Sequence, residues 1–306
     1  MHGSHQGVTA GAGVRDADAR LMRLATYLSM AVGLSLIGAK FYAWFTTDSL
    51  ALLSTLIDSA LDAGASALNL LAIRQALAPA DAEHRFGHGK AEPLAGLAQS
   101  TFIAGSSLFL LSEAVHRLFD PQPVSNSGVG IGVMILSIAF TAALVLFQRV
   151  VVQRTQSLAI SADKLHYTAD LLMNISVIAS LLIATHFNWP YADPLFAIGI
   201  SGFLLWGAGA IGWQSYQTLM DHELPETDRQ RILEICTSFP DVVATHDLRT
   251  RSSGVQMFIQ VHLEFDGSQS LDHVHGIADQ VEARIMAEYP KADVIIHQDP
   301  VKNREV

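Results

Sequence analysis

Cysteine is almost absent from this sequence: the 306 residues contain one, Cys236. That excludes an intramolecular disulfide framework and any cysteine-built zinc finger, and it leaves a buried core thiol as the plainest role for Cys236. Charge is also scarce, at 16% of residues, against roughly 25% for an ordinary soluble domain. The charge that is present is acidic, net −10 at pH 7, which speaks against nucleic acid as a partner. The helix signature of a zinc hydrolase, H-E-x-x-H, does not occur. No cleavable signal peptide is evident, because the first apolar run is of full membrane-span length.

Apolar residues fill the gap. They make up 50% of the chain, and the mean hydropathy is +0.31. Six apolar runs, Leu21–Thr46, Ser49–Leu77, Pro93–Leu118, Val129–Val152, Leu158–Phe187 and Pro194–Trp213, are each long enough to span a bilayer. Basic residues in the short flanks set the orientation. Arg15, Arg20, Arg23, Arg74, Arg85, Lys90, Arg149, Arg154 and Lys164 fall on one side, and Arg117 alone on the other. The positive-inside rule therefore predicts cytoplasmic termini. Trp189 and Tyr191 suit an outer interfacial belt. Residues 1–20 read as a disordered cytoplasmic tail, where His2 and His5 are floppy or at most weak ligands. Residues 21–219 read as a six-helix transmembrane domain, and residues 220–306 as a cytoplasmic domain.

From Asp221 onward the chain carries sixteen acidic against eight basic residues, with six of the thirteen histidines. An acidic, histidine-rich tail attracts cations. Its periodicities predict a helix over Pro225–Phe239, strands over Val242–Arg251 and Val255–Phe265, a helix over Leu271–Tyr289 and a strand over Ala292–His297. A hairpin turn at Arg251–Gly254 joins the first two strands. The order helix–strand–strand–helix–strand is that of a ferredoxin-like α+β domain lacking its first strand.

The membrane runs contain costly residues. Asp58 and Asp62 stand at i and i+4 in the second run, and His166 and Asp170 repeat that spacing in the fifth. On helices, each pair points one way, one turn apart. An ionised Asp near mid-bilayer costs at least ~2.5 kcal/mol, and neighbouring ones also repel. Their depths below the outer ends of their runs differ by only ~6 Å at ~1.5 Å per residue, so the pairs can meet. Three carboxylates and one imidazole form a four-coordinate set for a divalent metal; hydrogen bonding between partly protonated carboxylates is the plainer alternative. Asn69 and Asn174 extend the same faces, as interhelical glue or as the lining of a hydrated path.

Two further clusters lie outside the membrane runs. Asp81, His84 and His88 form D-x2-H-x3-H on the polar loop after the second run, either an open metal site or solvated loop residues. In the tail, His246 and His262 fall on paired strands, His275 on a helix, and His297 with Asp299 on one face of the last strand if that strand continues. Surface histidines without a metal are the alternative there. His116, His186, His222 and His273 read as interfacial or solvated.

The segments LIDSALDAGAS, HRFGHGKAEPLAGLAQS, ADKLHYTADLLMN, HDLRTRSSG and VIIHQDP together resemble the cation diffusion facilitators, in particular their bacterial zinc- and iron-efflux branch. The resemblance runs from about Leu21 to Pro300. It implies a multi-pass α-helical membrane protein of six transmembrane helices with a C-terminal ferredoxin-like, metallochaperone-like cytoplasmic domain. It also implies a homodimer in the bacterial inner membrane, embedded in the lipid bilayer, that exchanges Zn²⁺, or Fe²⁺ or Cd²⁺, for protons. It maps transport onto Asp58, Asp62, His166 and Asp170, and a loop site onto Asp81, His84 and His88. A binuclear zinc site maps onto His246, His262, His275, His297 and Asp299, with Gln298 in its outer shell. Lys90 and Asp221 resemble a charge interlock between protomers. Two other readings remain: a membrane-anchored metal sensor that does not transport, and an intramembrane metallohydrolase. The hydrolase fits poorly, since a catalytic zinc keeps an open position that four ligands would close.

Overall fold

In the computed structural model, the residues described are 8–47, 50–119, 128–187, 189, 191–254 and 256–301. They form two units, residues 21–216 and residues 217–306 together with the N-terminal residues up to Arg20. The elements run α1 (Val8–Thr47), α2 (Leu50–Ala76), α3 (Ala91–Phe119), α4 (Gly128–Thr155), α5 (Leu158–Phe187), α6 (Ala192–Leu219), α7 (Glu226–Thr237), β1 (Ala244–Ser252), β2 (Met257–Phe265), α8 (Leu271–Glu288) and β3 (Ala292–Pro300).

The expected disordered tail over residues 1–20 is corrected for its described part. Helix α1 starts at Val8: the stretch before Leu21 holds no proline and runs straight into a helix already nucleated, so it propagates backwards despite Gly11 and Gly13. His2 and His5 lie outside the described residues.

Helices α1 to α6 are the multi-pass membrane part. Among the described residues, five helices have the length and hydropathy to cross a bilayer. The remaining one, α5, has 30 residues, about 45 Å of helix, and carries the ionisable cluster. The burial pattern is that of a protein in lipid. Phe45, Phe109 and Trp206 are about three-quarters exposed, while Ser29, Ser66, Gln148 and Ser201 are almost wholly buried. Lipid accepts the large apolar side chains, and the polar ones turn inward to find partners. Helix α5 packs against α2, α3 and α4. Small residues bring α3 and α6 together: a Cβ on Gly96 would sit 2.8 Å from Ser215 Oγ, and one on Gly212 would sit 2.9 Å from Ser100 Oγ.

The other unit is the small α+β domain. Its sheet has the order β1-β2-β3, with β1 antiparallel and β3 parallel to β2. Alternation along β2 sends Ile259, Val261, Leu263 and Phe265 into a core with Ile232, Ile235, Val274, Val281 and Ile285. Cys236 is wholly buried in that core, and burial pushes its thiol up to about 11. The β1–β2 turn closes through Ser253 N donating to Gln256 O at 2.9 Å, with Gly254 at φ 83, a left-handed conformation open to glycine. Strand β3 extends past its predicted end at His297 to Pro300 because its parallel pairing continues through Glu264↔Asp299 and Phe265↔Pro300.

Candidate metal centres

The membrane cluster is built by α2 and α5. His166 is 8% exposed, and its Nε2 faces Asp62 Oδ1 at 3.1 Å without hydrogen-bond geometry to any partner. Ligand atoms of Asp62, His166 and Asp170 all lie within 4.8 Å of one another. Carboxylate oxygens grouped this closely, with a buried imidazole nitrogen unsatisfied, are what a cation between them would resolve. Asp58 is exposed and stands outside the group; the structure gathers three of the four expected ligands. Asn69 Nδ2 donates to Ala159 O on α5 at 3.4 Å, which favours the interhelical-glue reading. Asn174 bonds back to Asp170 O in its own helix at 2.7 Å.

Among the charged residues of the membrane helices that the sequence reading passed over, two bear on this cluster. Asp163, 1% exposed, lies on α5 one turn before His166. Ser29 Oγ of α1 donates to its Oδ2 at 2.6 Å and Gln148 Nε2 of α4 at 2.7 Å. Ser66 Oγ of α2 and Gln99 Nε2 of α3 reach its Oδ1 at 3.4 and 3.5 Å. Tyr167 OH donates to Ser29 O at 2.9 Å and lies 3.1 Å from Ser66 Oγ. This network fixes α5, and with it His166 and Asp170, against the surrounding helices. The other acid in ADKLHYTAD, seven residues before Asp170, was the available signal. The second is Lys40 on α1, the one basic residue inside the first apolar run after Arg23.

The loop cluster follows from local turns. Asp81 Oδ1 accepts from His84 N at 2.7 Å and Glu83 N at 2.9 Å, an Asx-type turn. Gly87, at φ 77, lets the chain reverse so that the His84 and His88 rings lie 4.6 Å apart. Both imidazoles approach Asp81 at 3.4 Å. The His84 amide, then the Glu83 amide and the two histidines, hold the Asp81 carboxyl below the usual carboxylate range. His88 Nδ1 is buried without a partner. The three residues can hold a cation with one carboxylate and two nitrogens.

Strand register builds the third cluster. His246 pairs with His262, and His262 with His297, so three imidazoles stand side by side on the sheet face turned away from the core. Their ring centroids are 5.0 and 4.6 Å apart. Asp299, two residues beyond His297, meets His262 Nδ1 at 2.8 Å, His297 Nε2 at 3.2 Å and His246 Nε2 at 3.4 Å. His262, then His297 and His246, keep its carboxyl below the usual range. Glu264 lies 3.2 Å from His246 Nδ1 and Asp247 lies 3.8 Å from His262 Nε2. The sequence reading missed both, though period 2 from His262 points to Glu264. This donor set suits zinc. His275 is not part of it: it faces Asp279 at 3.8 Å and is two-thirds exposed. Gln298 is not part of it either, since alternation turns it away from His297 and Asp299. Lys90 lies just ahead of α3, and Asp221 lies 3.3 Å from Arg251 in the other unit.

Six apolar helices around a buried carboxylate–imidazole cluster, joined to a small α+β domain with its own histidine-rich face, define a multi-pass membrane protein organised around metal ions. The family profile for the cation efflux transmembrane domain matches residues 26–220, and that for the cation efflux protein cytoplasmic domain matches residues 224–301. The chain belongs to the cation efflux family, which the motifs of the cation diffusion facilitators had indicated. The cation-efflux pumps FieF of Salmonella arizonae and Salmonella choleraesuis are each 47% identical to it over 281 residues, covering 92% of this chain and 93% of theirs. The metal-bound C-terminal domain of the CzcD transporter from Thermotoga maritima is 27% identical, covering 27% of this chain and 100% of that one, with a TM-score of 0.25.

Proposed function

We propose that the protein exports a divalent cation, Zn²⁺ foremost and Fe²⁺ or Cd²⁺ as alternatives, from the cytoplasm in exchange for protons. The observation that carries this is the convergence of Asp62, His166 and Asp170 to within 4.8 Å among helices able to cross a bilayer. Grouped carboxylates in lipid are unstable alone and are stabilised by a dication or by protons, and each ligand is a base for which the two compete. Loading from the cytoplasm, reorientation and displacement by outer protons then make an alternating-access cycle. Asp58, one turn along α2, completes the coordination when the helices shift. The nitrogen ligand from His166 tilts selectivity toward zinc, although carboxylate–imidazole sites also take iron, cadmium and other divalent ions.

The tail cluster is resident rather than on the route. His246, His262, His297 and Asp299 would hold zinc, which there supplies a positive bridge between acidic domains. His275 and Gln298, which their own chain leaves outside the cluster, support a site completed by a second copy. A homodimer fits this, with Lys90 and Asp221 as an interlock near the membrane surface; an exposed pair of that kind is worth about 0–1 kcal/mol. The domain division proposed is residues 21–219 in the bacterial inner membrane and residues 220–306 in the cytoplasm, with both termini cytoplasmic. A pH dye trapped in sealed proteoliposomes tests the exchange. External Zn²⁺ should enter and make the lumen more alkaline. Zinc entry without a pH change would refute proton exchange, and binding without entry would refute export.

A further inference from the structure

Lys40 lies in the apolar stretch LIGAKFYAWF of α1, where an ammonium is as costly as a carboxylate unless it is held by partners. Its Nζ donates to Ser59 Oγ at 2.6 Å and to Thr55 O at 3.3 Å. Ser59 is 4% exposed and sits between Asp58 and Asp62. Thr55, Ser59 and Asp62 follow one another at i, i+4 and i+7, so they share a face of α2. The ammonium is therefore fixed over the α2 face that carries the site carboxylates, on the side nearer the α1–α2 connection. Ser59, which accepts its bond, lies one residue after Asp58 and three before Asp62 on α2, so the ammonium is held within a turn of both carboxylates while bonding to a hydroxyl and a carbonyl.

We infer that Lys40 is the affinity-setting residue of the membrane metal site, a tethered cation that keeps the site from holding a divalent ion too tightly to release it. The inference rests on the export reading. Asp62 and Asp170, once Asp58 joins them as the export reading requires, carry −3 when ionised; Lys40 reduces this to −2, the charge that one divalent ion neutralises. In the empty site the ammonium offsets part of the repulsion among the carboxylates. In the loaded site it repels the cargo. Both effects lower affinity, and in low-dielectric surroundings a neighbouring unit charge is felt strongly.

The test uses the full chain carrying Asp81→Ala and His262→Ala to remove the other two clusters. Zn²⁺ binding is measured in nanodiscs and radiolabelled Zn²⁺ uptake in proteoliposomes, for Lys40, Lys40→Met, Lys40→Gln and Lys40→Arg. Met and Gln should bind zinc about tenfold or more tighter, with KM and kcat for uptake falling together, while Arg keeps both near the parent values. Binding within twofold of the parent, or weaker, in Met and Gln would overturn the assignment. So would failure of both to fold while Arg folds, which would make Lys40 a structural residue. Binding is read without transport, so a parent protein that binds zinc and moves none refutes export and leaves the affinity result standing.

Discussion

Replacing Asp163 probes how the membrane cluster is held. Its carboxylate takes two short hydrogen bonds, from Ser29 Oγ at 2.6 Å and Gln148 Nε2 at 2.7 Å, both to Oδ2. The two contacts at Oδ1 are longer, at 3.4 and 3.5 Å, and contribute little. Asp163→Ala removes both short bonds; Ser29 Oγ keeps Ala25 O at 3.0 Å and Gln148 Nε2 keeps Ser29 Oγ at 2.9 Å, so one buried N–H loses its acceptor and a small cavity opens, for a total of about 1–4 kcal/mol. Asp163→Asn can set its carbonyl oxygen at the Oδ2 position and keep both short bonds. Its amide then faces Ser66 and Gln99, where Ser66 can turn to accept; the cost should be about 1–2 kcal/mol, in line with measured hydrogen bonds between membrane helices. Thermal unfolding of the full chain in detergent should rank wild type, Asn and Ala in falling order, with zinc affinity following because α5 positions His166 and Asp170. Equal damage from Asn and Ala would show that charge, not hydrogen-bond geometry, is what matters. A harmless Ala would refute the network's role.

Other consequences follow from particular contacts. Gly96→Val forces atoms into space held by Ser215 Oγ and the Leu158 backbone and should cost about 1–3 kcal/mol, seen as a lower melting temperature; no change would mean α3 and α6 do not pack so closely. Cys236, buried and with its thiol pushed up to about 11, should resist maleimide at pH 7.5 and react fully once denatured. The Asp81 carboxyl is held below its ordinary value, so its support of the loop is present above that value, ~3.9, and lost only as pH falls through the lowered one. The carboxyl carbon shift of the Asp81 side chain should show its protonation step only below about pH 4. His262→Ala, which removes the central imidazole of the sheet row, should weaken tail zinc binding in the full chain more than tenfold. His275→Ala should matter only where dimers form, and an equal loss in protein shown to be monomeric would contradict the shared-site reading.

The parts of this molecule legible in its sequence are those where one period dominates. Six long apolar runs and a tail alternating at period 2 announced six helices and the αββαβ domain. The i,i+4 spacing of Asp58 with Asp62 and of His166 with Asp170 pointed to one place. The misses arise where a residue's meaning depends on a neighbour distant in sequence. Asp163 went unnoticed, because its donors come from four other helices. Lys40 vanished into an apolar run that it did not disrupt. The last strand was expected to end at His297, yet parallel pairing to β2 carries it through Asp299 to Pro300. His275 was grouped with the tail ligands by resemblance, and its own chain places it elsewhere. The Gly/His-rich first residues suggested a loose tail, whereas helix propagation needs no apolar face to continue backwards from a long span.

The most direct measurement is the initial rate of radiolabelled Zn²⁺ uptake into sealed proteoliposomes with an acidic lumen, for wild type and Asp62→Asn. Asp62 faces His166 Nε2 at 3.1 Å and supplies one of the three gathered ligands. Wild type should accumulate zinc faster with the proton gradient than without it, and Asp62→Asn should fall to the rate of empty vesicles while remaining folded. Uptake by Asp62→Asn at the wild-type rate would contradict transport through this cluster.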